Sequence, residues 1–173
     1  MKKSQLKKLL RIGKGNVYIT IATLLCLGIL TLYQQYKPLF SDSITLSKCT
    51  DGDTAHFYIN DVDTTVRFLG IDTRETVKPN TSVQPFGKEA SNYTCNALIQ
   101  AKEIRIEYEE DNRTDKYGRS LGWIFVDDVL LQKELVSQGL AEVKYLNDNY
   151  KYANELKQAE KEAKSNKLGI WSN

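Results

Sequence analysis

Arg67, Asp72 and Glu75 fall within one short stretch, Val66-Arg67-Phe68-Leu69-Gly70-Ile71-Asp72-Thr73-Arg74-Glu75. Its first half is apolar enough to be a buried strand, so Arg67 requires a counter-charge. Its second half is a loop whose carboxylates, Asp72 and Glu75, can supply that charge or help hold a hard cation. A strand arginine paired to an ordinary surface loop accounts for this stretch equally well. A second acidic stretch, Asp51-Gly52-Asp53-Thr54, reads plainly as a surface turn. Its chemical reading makes Asp53 a cation ligand, because calcium collects oxygens from carboxylates, backbone carbonyls and water. Asp53, Asp72 and the Thr73 carbonyl would be three such donors. The third stretch, Arg113-Thr114-Asp115-Lys116-Tyr117-Gly118-Arg119, is either a solvated loop or a phosphate grip. In a grip, Arg119 acts through its planar fork, Lys116 as a point charge and Tyr117 through its hydroxyl.

These stretches must be carried on elements that bring them together. Strands are expected at Ile44 to Cys49, at Thr54 to Ile59 and, after an Asn60-Asp61 hairpin turn, at Asp63 to Ile71. A polar loop from Thr76 to Gln84 leads into a helix over Phe86 to Ala101. Glu103 to Tyr108 alternates as a half-exposed strand, Glu109 to Gly118 is a loop, and Leu121 to Val126 is a fifth strand. Two helices follow, Val129 to Gln138, closed by Gly139, and Tyr152 to Ser165, with Leu168 to Trp171 as an apolar clasp. Five strands with a helix between the third and fourth match the outline of an OB-fold barrel.

Composition narrows the chemistry. The 173 residues include one histidine, His56, so a catalytic His pair or triad is not expected, and no Cys/His metal cluster exists. Residues 1–40 hold seven of the 24 Lys and Arg and none of the 22 acids, leaving residues 41–173 with 17 bases and a net charge of −5. An acidic domain has no general attraction to nucleic acid and must bind phosphate, if at all, at a local site. The basic head, residues 1–16, precedes an apolar run from Val17 to Tyr33 with no Ala-x-Ala after it. This pattern predicts a single retained transmembrane helix over 17–36 with the N-terminus cytoplasmic, a cleaved secretion signal being the alternative. Residues 37–43 read as a linker and 44–173 as the domain. Outside a membrane Cys49 and Cys95 are able to pair, but sequence does not decide whether they meet.

The three stretches in this order, with Gly87-x-Glu89-Ala90-Ser91, Gln138-Gly139-Leu140-Ala141 and the Ile170-Trp171 ending, resemble the thermonuclease (staphylococcal nuclease-like) family from about Ile44 to Trp171. The resemblance implies a mainly β fold with α+β content: a five-stranded OB-fold Greek-key barrel with three helices. It also implies a calcium-dependent phosphodiesterase that hydrolyses DNA and RNA to 3′-phosphate ends with little sequence specificity. Carried over by position, Asp53, Asp72 and the Thr73 carbonyl would bind Ca2+. Arg67 and Arg119 would clamp the scissile phosphate, and Glu75 would orient or deprotonate the attacking water. Lys116, Tyr117 and Tyr145 would line the nucleotide pocket.

The chain departs from that pattern at Arg74, where the family usually has proline, and in the Thr76–Gln84 loop, which is less basic than expected. The expectation is a monomeric nuclease on the outer face of the membrane, favouring single-stranded substrate. A non-catalytic OB module that binds single-stranded nucleic acid is the alternative.

Overall fold

The computed structural model describes residues 22–25, 27–28, 44–74 and 84–172. The chain divides into two units, Met1–Pro38 and Leu39–Asn173. In the first, residues 22–25 and 27–28 are helical. The rest of the expected anchor at 17–36, the head at 1–16 and the linker at 37–43 lie outside the described residues. Among the described residues no helix is long and apolar enough to cross a membrane.

In chain order the second unit forms strands β1 (Thr45–Cys49), β2 (Thr54–Ile59), β3 (Val62–Phe68) and β4 (Ile71–Thr73), then helix α1 (Gly87–Gln100). Strands β5 (Ile104–Glu107), β6 (Ser120–Val126) and β7 (Val129–Leu130) lead to helix α2 (Leu131–Ser137), strand β8 (Ala141–Val143) and helix α3 (Ala153–Ser165). A 3-10 turn at Gly169–Trp171 takes the place of the apolar clasp. β2 and β3 meet through Asn60 and Asp61, both at positive φ (51° and 63°), the backbone that a two-residue hairpin requires.

Strands β1, β2, β3, β6 and β5 lie side by side in that order, with β3 and β6 parallel and the other neighbours antiparallel. The N–H of Ile44 donates to the Ile104 carbonyl at 3.1 Å, an antiparallel bridge tying the start of β1 to β5. The curled sheet, with three helices packed on it, fits an OB-like mixed α and β fold. Inside it Phe57, Val66, Phe68, Ile106, Trp123 and Ile124 are each no more than 1% exposed. The buried Gln132 of α2 keeps its amide satisfied by accepting from the Ile124 N–H at 3.1 Å and donating to the Gly122 carbonyl at 2.9 Å.

The expected third strand ends early. Its apolar run continues through Leu69 to Ile71, but the chain turns at Gly70 (φ +74°), where a Cβ would stand 2.7 Å from Leu146 Cδ1. Ile71–Thr73 leaves the main sheet and pairs antiparallel with β8, Asp72 opposite Glu142. The expected helix at Val129 likewise starts two residues late. Asp127 and Asp128, at φ 48° and 69°, turn β6 back into β7 before α2 begins.

Candidate active site

Strand alternation places Arg67 on the face opposite Val66 and Phe68, which enter the core. The guanidinium is held at all three nitrogens. Nε lies 3.2 Å from Asp53 Oδ1, Nη2 donates to Asp72 Oδ1 at 2.8 Å, and Nη1 donates to the Phe68 carbonyl at 2.8 Å. Its side chain is only 11% exposed, so these partners replace lost hydration. Asp53, at the turn between β1 and β2, is buried and accepts further bonds. The Thr73 N–H and hydroxyl donate to its Oδ2 at 2.8 and 3.1 Å, and the Thr54 hydroxyl to its Oδ1 at 3.0 Å. Asp53 therefore ties the first turn, β3 and β4 together.

The turn itself is pinned from behind. Thr94 of α1 donates its hydroxyl to the Gly52 carbonyl at 2.7 Å, and a Cβ on Gly52 would stand 2.8 Å from the Ala90 methyl. Cys49 and Cys95 form a disulfide, Cα–Cα 5.6 Å, joining the end of β1 to α1. Asp51 Oδ1 accepts the Asp53 N–H at 3.1 Å. Burial, and then the charge of Asp53, push the Asp51 carboxyl up to about 6, against the opposing pull of the Asp53 N–H and Arg67.

The loop between β5 and β6 supplies the other side. Asp115 Oδ1 accepts the N–H groups of Tyr117 and Arg119, both at 2.9 Å, and its Oδ2 accepts Nε–H of Arg119 at 2.8 Å. No described residue bonds the two terminal nitrogens of Arg119. Lys116 and Arg119 lie 5.0 and 5.7 Å from the centre of the Tyr117 ring. Asn112 donates to the Tyr150 hydroxyl at 2.6 Å, fastening the loop to the segment before α3. Tyr117 and Tyr145 are 73% and 75% exposed. Tyr145 also holds φ at +55°, a costly backbone for a bulky residue.

One cavity of about 700 Å3 collects these groups. Asp53, Arg67, Asp72, Thr73, Lys116, Tyr117, Arg119 and Tyr145, eight of the nine residues expected from sequence, all line it. Glu75, the ninth, and the Thr76–Val83 part of the polar loop lie outside the described residues. Arg74 is exposed on the cavity wall. Among the described residues no three or more His, Cys, Asp or Glu side chains gather as a metal cluster. Asp53 and Asp72 nevertheless converge on one guanidinium from separate segments, and every donor they and Thr73 offer is a hard oxygen. That donor chemistry fits calcium rather than zinc. His56 stands elsewhere, 3.6 Å from Asp63.

A family model described as staphylococcal nuclease homologue matches residues 65–173, more than half of the chain. The chain belongs to the staphylococcal nuclease family. Among relatives, the SPbeta prophage-derived endonuclease YokF of Bacillus subtilis (strain 168) is 44% identical over 130 residues, which cover 75% of this chain and 44% of that protein. Endonuclease YncB of the same strain is 42% identical over 131 residues, 75% of this chain and 62% of its own length. The thermonuclease of Staphylococcus hyicus is 42% identical over 123 residues, 71% of this chain and 72% of its own length. The chain thus spans less than two thirds of the first two relatives.

For this staphylococcal nuclease family chain, sequence reasoning passed over several residues at the site. Lys144 reaches Asp72 Oδ2 at 2.8 Å from 72 positions away, and nothing in its local pattern announces that contact. Asn112 was part of a polar run, and Thr94 lies on the buried side of a helix. Lys144 had one available signal, its place next to Tyr145.

Proposed function

We propose that the chain is a calcium-dependent nuclease that hydrolyses DNA and RNA to 3′-phosphate ends with little sequence specificity. The observation carrying this reading is that one cavity holds the carboxylates of Asp53 and Asp72 from separate segments together with Arg67, Arg119, Lys116 and the exposed Tyr117 and Tyr145. A phosphodiester substrate needs that set. Phosphoryl transfer develops charge on non-bridging oxygens, and fixed cationic donors aimed at them lower the barrier.

Asp53, Asp72 and the Thr73 carbonyl would hold the calcium ion, which supplies charge neutralisation and a template for substrate when bound. Arg119 brings two terminal nitrogens to the phosphate, matching its planar fork to two oxygens. Arg67, held by Asp53 and Asp72, offers a second guanidinium whose position the fold has already fixed. Glu75, carried over from the family likeness, takes the proton of the attacking water as the bond to the 5′ oxygen breaks. Lys116 pairs with a neighbouring phosphate, and Tyr117 and Tyr145 stack unpaired bases. Stacking of that kind needs bases that a duplex conceals, and it supports a preference for single strands. A domain of net charge −5 has little other attraction for polynucleotide.

The basic head and the apolar run from Val17 to Tyr33 support an anchor over 17–36 that leaves the nuclease domain outside the membrane. A disulfide in the domain suits that compartment.

End-labelled single-stranded DNA and RNA, incubated with the full chain and calcium, test the reading. Release of fragments ending in 3′-phosphate, stopped by chelator, is expected. Retention of intact strand without hydrolysis would favour the binding module instead.

A further inference from the structure

The cross-strand register of β4 and β8 sets two acids, Asp72 and Glu142, directly opposite each other. Such a pair repels unless something neutralises it. Lys144 does so: its Nζ donates to Asp72 Oδ2 at 2.8 Å and to Glu142 Oε1 at 3.1 Å. Its own backbone N–H donates to the Gly70 carbonyl at 3.0 Å, which fixes where the side chain starts. Both oxygens of Asp72 are thereby committed to cations, Oδ1 to Arg67 and Oδ2 to Lys144.

We propose that Lys144 is a resident counter-cation for Asp72 that opposes divalent metal binding at this site, and that it withdraws onto Glu142 when a metal ion takes the Asp72 oxygen. The inference rests on the calcium reading above and adds to it an antagonism built into the chain. An ammonium and a calcium ion are alternative neutralisers of one carboxylate. Each lowers the negative potential that attracts the other, and the coupling between them is reciprocal. Glu142 gives the ammonium a second partner at hydrogen-bonding distance, so displacement does not leave it unpaired. The side chain is 42% exposed, so its head can move without disturbing the core. In the metal-free protein the same lysine relieves the Asp72–Glu142 repulsion, so its removal weakens the apo fold and strengthens the demand for a metal.

Calcium titration of the full chain by calorimetry, with melting temperatures measured with and without calcium, tests this on Lys144→Met, Lys144→Arg and Lys157→Met. Lys157 of α3 pairs with Asp148, which precedes that helix, and serves as a control for the loss of one positive charge. Lys144→Met is expected to bind calcium about tenfold more tightly than wild type and to gain more melting temperature from it. Lys144→Arg and Lys157→Met should stay within about twofold of wild type. Equal or weaker binding by Lys144→Met overturns the antagonism while leaving the metal reading standing, as does equal tightening by Lys157→Met. Calcium binding by none of these proteins overturns both.

Discussion

Asp115 accepts the Nε–H of Arg119 at 2.8 Å, four residues along the same loop, so the acid holds one edge of the guanidinium and leaves the terminal nitrogens for another partner. This division of labour differs from that at Arg67, whose three nitrogens are all engaged within the protein. Arg119→Lys would keep the charge but lose the fork. Its kcat should fall on the order of 10²-fold with the fold intact, as when one fixed transition-state donor is removed. Asp115→Ala, which frees Arg119 to wander, should cost about tenfold in kcat/KM through positioning. Steady-state kinetics beside circular dichroism separate the two.

The same aspartate links stability to pH. Burial alone would raise its carboxyl, but hydrogen bonds from the Arg119 backbone, the Arg119 side chain and the Tyr117 N–H outweigh it and hold it below the usual 3.8. The folded protein therefore takes up a proton at Asp115 less readily than the unfolded chain. Its stabilising contribution is complete above the unfolded value and is lost as pH falls through the lower folded one. Asp115→Asn should be less stable than wild type at neutral pH, and the gap should narrow in acid. Urea midpoints from neutral pH down to about pH 2 measure it.

The disulfide closes a separation of 46 residues, which in the chain-entropy view contributes about 4 kcal/mol. It also backs the turn that carries Asp53, together with Thr94 and Ala90. Reduction, or replacement of Cys49 and Cys95 by Ala, should lower stability by several kcal/mol, roughly the range for native bridges. Calcium affinity should weaken as well, since the turn loses one of its anchors. Denaturant melts and calcium titrations of both forms provide the check.

Much of this was legible in the sequence wherever chemistry and periodicity were local. The Asn60-Asp61 turn, the β2 alternation and the helix over Gly87–Gln100 follow from nearest-neighbour preferences. Arg67 could be read from its own type, because an arginine in a buried strand is costly to place without a partner, whereas Tyr145 entered only through the family resemblance. What escaped was set by tertiary contact. Leu69 to Ile71 remains apolar across the bend at Gly70, so a buried run conceals the break between β3 and β4. Strand β8, three residues long, shows no alternation and exists because β4 pairs with it. Asp127 and Asp128 fall between the expected strand ending at Val126 and the expected helix starting at Val129, and that helix absorbs β7. Likewise Lys144 meets Asp72 only once β4 and β8 are side by side.

The most direct test of the central claim is single-turnover hydrolysis of single-stranded DNA and RNA by the full chain in calcium, with Arg67→Lys and Glu75→Gln alongside and folding verified by thermal melts. Hydrolysis by wild type, abolished by chelator and slowed on the order of 10²-fold or more in each variant, is the result predicted. Folded wild-type protein that cleaves neither substrate in calcium, or variants that cleave at the wild-type rate, would contradict it.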